Sequence, residues 1–127
     1  MASRTANFCF DAADPRAQVA FWAQVLDDFT PDEDGDDDEA GLHGPGGRDL
    51  LFLRVPEPKT VKNRMHVCLR PVDRDRDAEV ERLLALGATV VDDRRTADAG
   101  WAVLADPEGN EFCVLTRTAD EAGVRRT

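Results

Sequence analysis

Residues 7–14 (NFCFDAAD) and 66–73 (HVCLRPVD) are two versions of one phrase, set 59 positions apart in a chain of 127. Each alternates apolar with other residues, reaches an aspartate and runs into a helical pattern, so the repeated unit is a strand followed by a helix. A second pair closes the halves. Residues 44–53 (GPGGRDLLFL) and 106–115 (DPEGNEFCVL) share Pro, Gly, acidic and apolar positions at a spacing of 62. Two halves that begin and end alike imply two copies of one motif.

The two-residue period of a strand puts Phe8 and Phe10 on one face of residues 4–11, with Asn7, Cys9 and Asp11 on the other. Asp14-Pro15 is a helix start: Asp accepts from first-turn N–H groups, and Pro sits where no N–H partner is needed. Val19, Phe21, Trp22, Val25 and Leu26 then form a wide apolar stripe, which makes Phe21 and Trp22 core residues. A hairpin around Gly35 (29–34 and 39–43) and a strand at 50–56 complete the first half. Pro56 and Pro58 limit regular pairing in the connection 56–64. The second half opens with a strand at 64–71, its apolar face Met65, Val67 and Leu69, its other face His66, Cys68 and Arg70. A helix over 75–86 carries Val80, Leu83 and Leu84 and stops at Gly87. Strands at 88–92, 101–105 and 111–117 follow, and the last ten residues are expected to fray.

Composition narrows the function classes. The length suits one domain. A net charge of −10 disfavours nucleic acid and anionic lipid as partners, which need a cationic face. Residues 32–39 (DEDGDDDE) hold seven of the acids, and charge runs usually face water, so a solvated hairpin tip is expected there. Its spacing lacks the glycine and glutamate of a calcium loop. With no apolar run of about 18 residues and no secretory leader pattern, the expected location is cytoplasmic. Cys9, Cys68 and Cys113 are odd in number and lack CxxC spacing, which indicates neither a disulfide framework nor a zinc ribbon. The Gly-rich turn 44–47 lacks the Lys-Ser/Thr of a phosphate loop. Ser3, the only serine, lies in the terminal segment, so a Ser-His-Asp arrangement finds no support.

A duplicated βαβββ unit that closes on Asp106-Pro107-Glu108-Gly109-Asn110 before its last strand resembles the vicinal oxygen chelate superfamily, the group of glyoxalases, bleomycin-resistance proteins and extradiol dioxygenases. The segment VPEPKTVKNRMH (55–66) is similar to the glyoxalase-like domain branch. The resemblance implies an α+β fold of two tandem βαβββ modules forming an incomplete barrel with helices outside. Residues 1–127 would be one glyoxalase-like domain: module 1 about 1–57, a linker about 56–64, module 2 about 64–118 and a frayed tail 118–127. Phe8, Phe10, Met65, Val67, Leu69, Phe112 and Val114 would face the helices. Asn7, Cys9, Asp11, Leu51, Leu53, His66, Cys68, Arg70, Glu111 and Cys113 would line the hollow. Related proteins are often dimers, so a homodimer is expected.

Metal-dependent members of that superfamily hold one divalent ion with residues on the first and last strands of each module. The repeat places Asn7, Leu51, His66 and Cys113 there. Leu51 cannot coordinate and Asn7 is a weak ligand, whereas a hard oxygen-activating site wants carboxylates and imidazoles. These four positions therefore read as vestigial, no cofactor is expected, and a divalent metal is the minor alternative. The three cysteines with His66 have a composition that would suit a soft metal or metalloid, although small thiols also pack inertly. His66 is either a general base, with Glu111 or Asp11 as partner, or a donor to ligand, or a hydrogen-bonded wall residue. Lys59, Lys62, Asn63 and Arg64 form a cationic run that would hold an anionic ligand group or a salt link to acids such as those at 32–39. The expected ligand-binding set is thus Asn7, Asp11, Leu51, Leu53, Lys59, Lys62, Asn63, Arg64, Arg70 and Cys113. The first expected function is small-molecule binding without the divalent-metal centre. The alternatives are a lyase, isomerase or dioxygenase with atypical chemistry, and an interaction module whose hollow is filled by Leu51 and Leu53.

Overall fold

The computed structural model describes residues 2–124, and the chain divides into two compact units, one running to Pro58 and the other starting at Lys59. The first contains β1 (Phe8–Ala12), α1 (Pro15–Val25), β2 (Thr30–Pro31), β3 (Glu39–His43) and β4 (Leu50–Arg54). Its strands lie in the order β1-β4-β3-β2, with β1 parallel to β4 and the other pairs antiparallel. The second contains β5 (Val67–Leu69), α2 (Arg76–Ala85), β6 (Thr89–Asp93), β7 (Trp101–Ala105) and β8 (Glu111–Leu115). Its order, β5-β8-β7-β6, repeats the first in topology and strand sense. The fold is α+β, two tandem βαβββ modules, and neither sheet closes on itself.

Local chemistry explains the helix starts. The Asp14 carboxylate accepts from Ala17 N at 3.1 Å, with Pro15 following it. In the second unit the cap is Asp75, which accepts from Ala78 N at 2.8 Å. The phrase repeat aligns Asp14 with Asp73 instead, but Asp73 pairs with Arg74 and the helix begins two residues later. Gly87 takes φ +117 past the end of α2, a left-handed stop that side chains resist. Burial follows the expected stripes: Phe21 and Trp22 meet edge-on and are buried in the first unit with Leu42 and Phe52, as are Val80, Leu83, Leu104, Phe112 and Val114 in the second.

Several expected boundaries move. β1 starts at Phe8 rather than residue 4, and β5 is only three residues long, so His66 precedes it. Met65 is 78% exposed and Phe8 42% exposed; neither packs in the core, because each lies outside or at the first residue of its short strand. Residues 118–124, in the segment expected to fray, form turns. Ala119 N donates to Pro71 O and Val124 N to Ala119 O, both at 2.8 Å, in a series of turns. Residues 125–127 lie outside the described residues.

Two features were not anticipated. Arg76, at the start of α2, is buried and donates to the Thr96 and Ala99 carbonyls and the Thr116 hydroxyl, so it ties the β6–β7 loop to the helix. The acidic tip is also more structured than a plain solvated loop. Asp36 Oδ1 accepts from Asp38 N and Glu39 N, while Arg16 pairs with Asp37, Arg54 with Asp38 and His43 with Asp32.

Candidate functional site

The phrase Asp106–Asn110 turns the chain so that β8 can return beside β5. Asp106 Oδ1 accepts from Glu108 N and Asn110 N at 2.9 Å each, Asp106 Oδ2 accepts from the Asn110 side chain, and Gly109 takes φ +89. Asp106 is itself buried. Its carboxylate accepts three hydrogen bonds within the turn, so the most recognisable phrase of the sequence is a device of the fold.

What the turn sets up is the register of the parallel pair β5–β8: Val67 opposite Phe112, Cys68 opposite Cys113, Leu69 opposite Val114. Alternation then separates two faces. Phe112 and Val114 enter the core. Glu111 and Cys113 point to the other side, beside Cys68 and, by parity, His66.

There, the ligand atoms of His66, Cys68 and Cys113 all lie within 4.8 Å of one another, with Cys113 Sγ 3.7 Å from His66 Nδ1. His66 and Cys68 are exposed and Cys113 is buried. Burial, and after it the neighbouring Cys68, push the Cys113 thiol up to about 11. At neutral pH it is a protonated thiol and not a nucleophile.

On the same face, buried Glu111 receives Lys62 Nζ at 2.5 Å and lies 3.7 Å from Lys59 Nζ. Asn63 fixes the approach of the preceding loop: its Oδ1 accepts from Glu111 N, and its Nδ2 donates to Met65 O. The Lys62 ammonium, donating to Glu111, holds that carboxyl below the usual range against the opposing effect of burial. Glu111 is therefore held as a carboxylate by the lysine beside it. The basic run meets an acid of its own unit. The partner of both lysines is Glu111, and two ammonium groups sharing one carboxylate leave one positive charge in excess.

The other expected site residues are placed within each unit as follows. Arg70 donates to the Arg117 carbonyl, and Arg64 is exposed. Asn7, Asp11, Leu51 and Leu53 belong to the first unit. Cys9 lies opposite Leu51 and Asp11 opposite Leu53, while Cys9 Sγ approaches Asn7 Oδ1 at 3.4 Å. Asn7 and Asp11 are exposed; Leu51 and Leu53 are half-buried. Cys68, grouped in the sequence with the other cysteines and His66 but absent from the expected ligand-binding set, belongs to this cluster. Its signal was the repeat itself: Cys9 is to Leu51 as Cys68 is to Cys113.

The superfamily's divalent ion can now be tested against these residues. At the four repeat-related positions stand Asn7, Leu51, His66 and Cys113; Leu51 offers no donor, and Cys113 offers sulfur where a hard ion wants oxygen. The donor set does not fit that ion.

These two βαβββ units, with their shared strand order and register, define a member of the vicinal oxygen chelate superfamily. The chain belongs to the glyoxalase-like domain family, whose model matches residues 7–115. Among solved structures it is similar to a glyoxalase/bleomycin resistance protein/dioxygenase family enzyme from Burkholderia phytofirmans PsJN, at 25% identity and TM-score 0.66, over 86% of this chain and 94% of that one. It is also similar to the fosfomycin resistance protein FosX from Listeria monocytogenes. A Glu-to-Gln mutant of that protein, complexed with Mn(II) and 1S,2S-dihydroxypropylphosphonic acid, gives 15% identity and TM-score 0.71, with 95% of each chain covered. Oxidase ChaP-H2 matches at 22% identity and TM-score 0.65, over 92% of this chain and 95% of that one. No curated protein matches the chain.

Proposed function

We propose that this glyoxalase-like domain binds a small molecule carrying an anionic group on the β5–β8 face of its second unit. The observation that carries the reading is the strip formed there by Lys59, Lys62, Glu111, Cys113, Cys68 and His66. It keeps one net positive charge beside exposed polar groups, while the opposite face of the same strands is core. Lys62 is 72% exposed on its side chain, so it can meet a ligand while it remains paired. The paired charges support recognition of an anionic group. Glu111 is held ionised, and the Cys113 thiol is held protonated. The Mn(II) and phosphonate complex of FosX supports the choice of an anionic guest only by likeness of fold.

The test is a titration of the whole chain with 1S,2S-dihydroxypropylphosphonic acid in chelator-treated buffer, followed by the fluorescence of Trp101. That residue lies opposite Leu115 and is 42% exposed, whereas Trp22 is buried. Saturable binding that Lys62→Ala weakens about tenfold is expected, the scale of one charge-assisted hydrogen bond. A response that never saturates, or one indifferent to both Lys62→Ala and Lys59→Ala, overturns the reading.

A further inference from the structure

The mismatch with a hard ion has a positive side. We infer that His66, Cys68 and Cys113 form a site for a thiophilic ion of the Zn(II), Cd(II) or Cu(I) class, built within the second unit alone. The inference deepens the proposed function, since it names what occupies the same face. Of its three donors, Cys68 stands outside the positions at which the superfamily places its metal ligands, and two are sulfur.

Geometry supports the site independently of charge. At Zn–S and Zn–N bond lengths, neighbouring donors in a tetrahedral site stand about 3.5–3.8 Å apart. Cys113 Sγ and His66 Nδ1 are already 3.7 Å apart, and every donor pair lies within 4.8 Å. His66 and Cys68 are exposed, so rotating their side chains can close the remaining gap, while buried Cys113 supplies a fixed donor. The pairing of Cys68 with Cys113 holds the two sulfurs on adjacent strands, so the backbone supplies their proximity. On binding, each thiol releases its proton to the buffer as its sulfur–ion bond forms, and no electron is transferred. Two thiolates balance a divalent charge, and the surplus cation of the Lys59–Lys62–Glu111 group stands alongside. Three protein donors leave a tetrahedral ion one open position, available to a donor atom of a small ligand.

Soft donors also predict selectivity. Thiolate and imidazole suit Zn(II) and Cd(II), whereas Mn(II) favours carboxylate and water. The experiment is a titration of reduced, chelator-stripped full-length protein with Cd(II) and with Zn(II), without organic ligand. Its readouts are the ultraviolet thiolate-to-cadmium charge-transfer band and the rate at which a thiol reagent modifies each cysteine. One ion per chain is expected, protecting exposed Cys68 and leaving exposed Cys9 reactive. Cys68→Ser and Cys113→Ser should each weaken binding on the order of 100-fold, and His66→Gln less. Cys9→Ser should change nothing, and excess Mn(II) should not compete. If Cys113→Ser fails to fold, exposed Cys68 carries the test. Absence of the cadmium band, protection of Cys9 in place of Cys68, or equal competition by Mn(II) would sink the proposal. Because no phosphonate is present, failure here leaves the phosphonate titration standing, and the reverse also holds.

Discussion

Cys9 and Cys68 hold equivalent places in two units with the same strand order, yet their surroundings differ by a few atoms of decisive chemistry. In the first unit the neighbours are Asn7 and Leu51; in the second they are His66 and Cys113. The registers of the two strand pairs correspond, so the contrast at these positions lies in side chains. One unit lacks the donors that the other has gathered. A duplicated fold allows this because the sheet and helix that stabilise each unit use the core-facing alternate residues, which leaves the other face free to change.

The largest effects should be shared by both units, because their cores are built alike. Phe52→Ala and Phe112→Ala each remove a fully buried ring and should each cost about 3–5 kcal/mol in urea unfolding. A large loss from one with little from the other would break the equivalence of the two units. The comparison is sharpened by transplanting donors. Asn7→His with Leu51→Cys, beside native Cys9, recreates the second unit's set in the first. Cadmium stoichiometry should rise from one to two per chain, with stabilisation of about 2.7 kcal/mol at a hundredfold excess over the dissociation constant. Stoichiometry that stays at one would show that more than side-chain identity separates the two faces.

A smaller effect tests the turn present in the second unit. Asp106→Ala leaves Glu108 N and Asn110 N without their acceptor and should cost about 2 kcal/mol by thermal or urea unfolding. It should also weaken cadmium binding, because the turn sets the register of Cys113. Smallest is the acid limb. Glu111 has a folded pKa below its ordinary value of 4.5, so its contribution is complete above that value and is lost as pH falls through the lowered folded one. Since Lys62 is largely exposed, Glu111→Gln should remove only about 1 kcal/mol at neutral pH and flatten the stability profile below pH about 4.5. An unchanged acid limb would mean that the lysines contribute nothing through Glu111.

Much of the fold was legible in particular residues. Asp14-Pro15, the Phe21-Trp22 stripe and Gly87 act through contacts a few residues away, which a linear pattern records. The two phrases at offsets of 59 and 62 were enough to align Cys9 with Cys68 and Leu51 with Cys113. The length of β5 was not legible, because period-two alternation already runs through Met65 and His66 before pairing with β8 begins at Val67. Nor was the partner of the basic run. Lys62 and Glu111 are 49 residues apart, and acids at 32–39 satisfied the charge rule equally well until the turn at Asp106 brought Glu111 beside the lysines.

The sequence by itself determined that the chain is a duplication, which family the two copies belong to, and that Leu51 cannot hold an ion. Those conclusions rest on local chemistry and on the repeat, and both are written along the chain. Only the tertiary structure decided that Cys68 faces Cys113, that His66 comes within 3.7 Å of the same sulfur, and that Glu111 belongs to Lys62. A strand's alternation says on which face a side chain lies. It does not say which residue of a neighbouring strand stands opposite, because register is set by hydrogen bonding between segments distant in sequence.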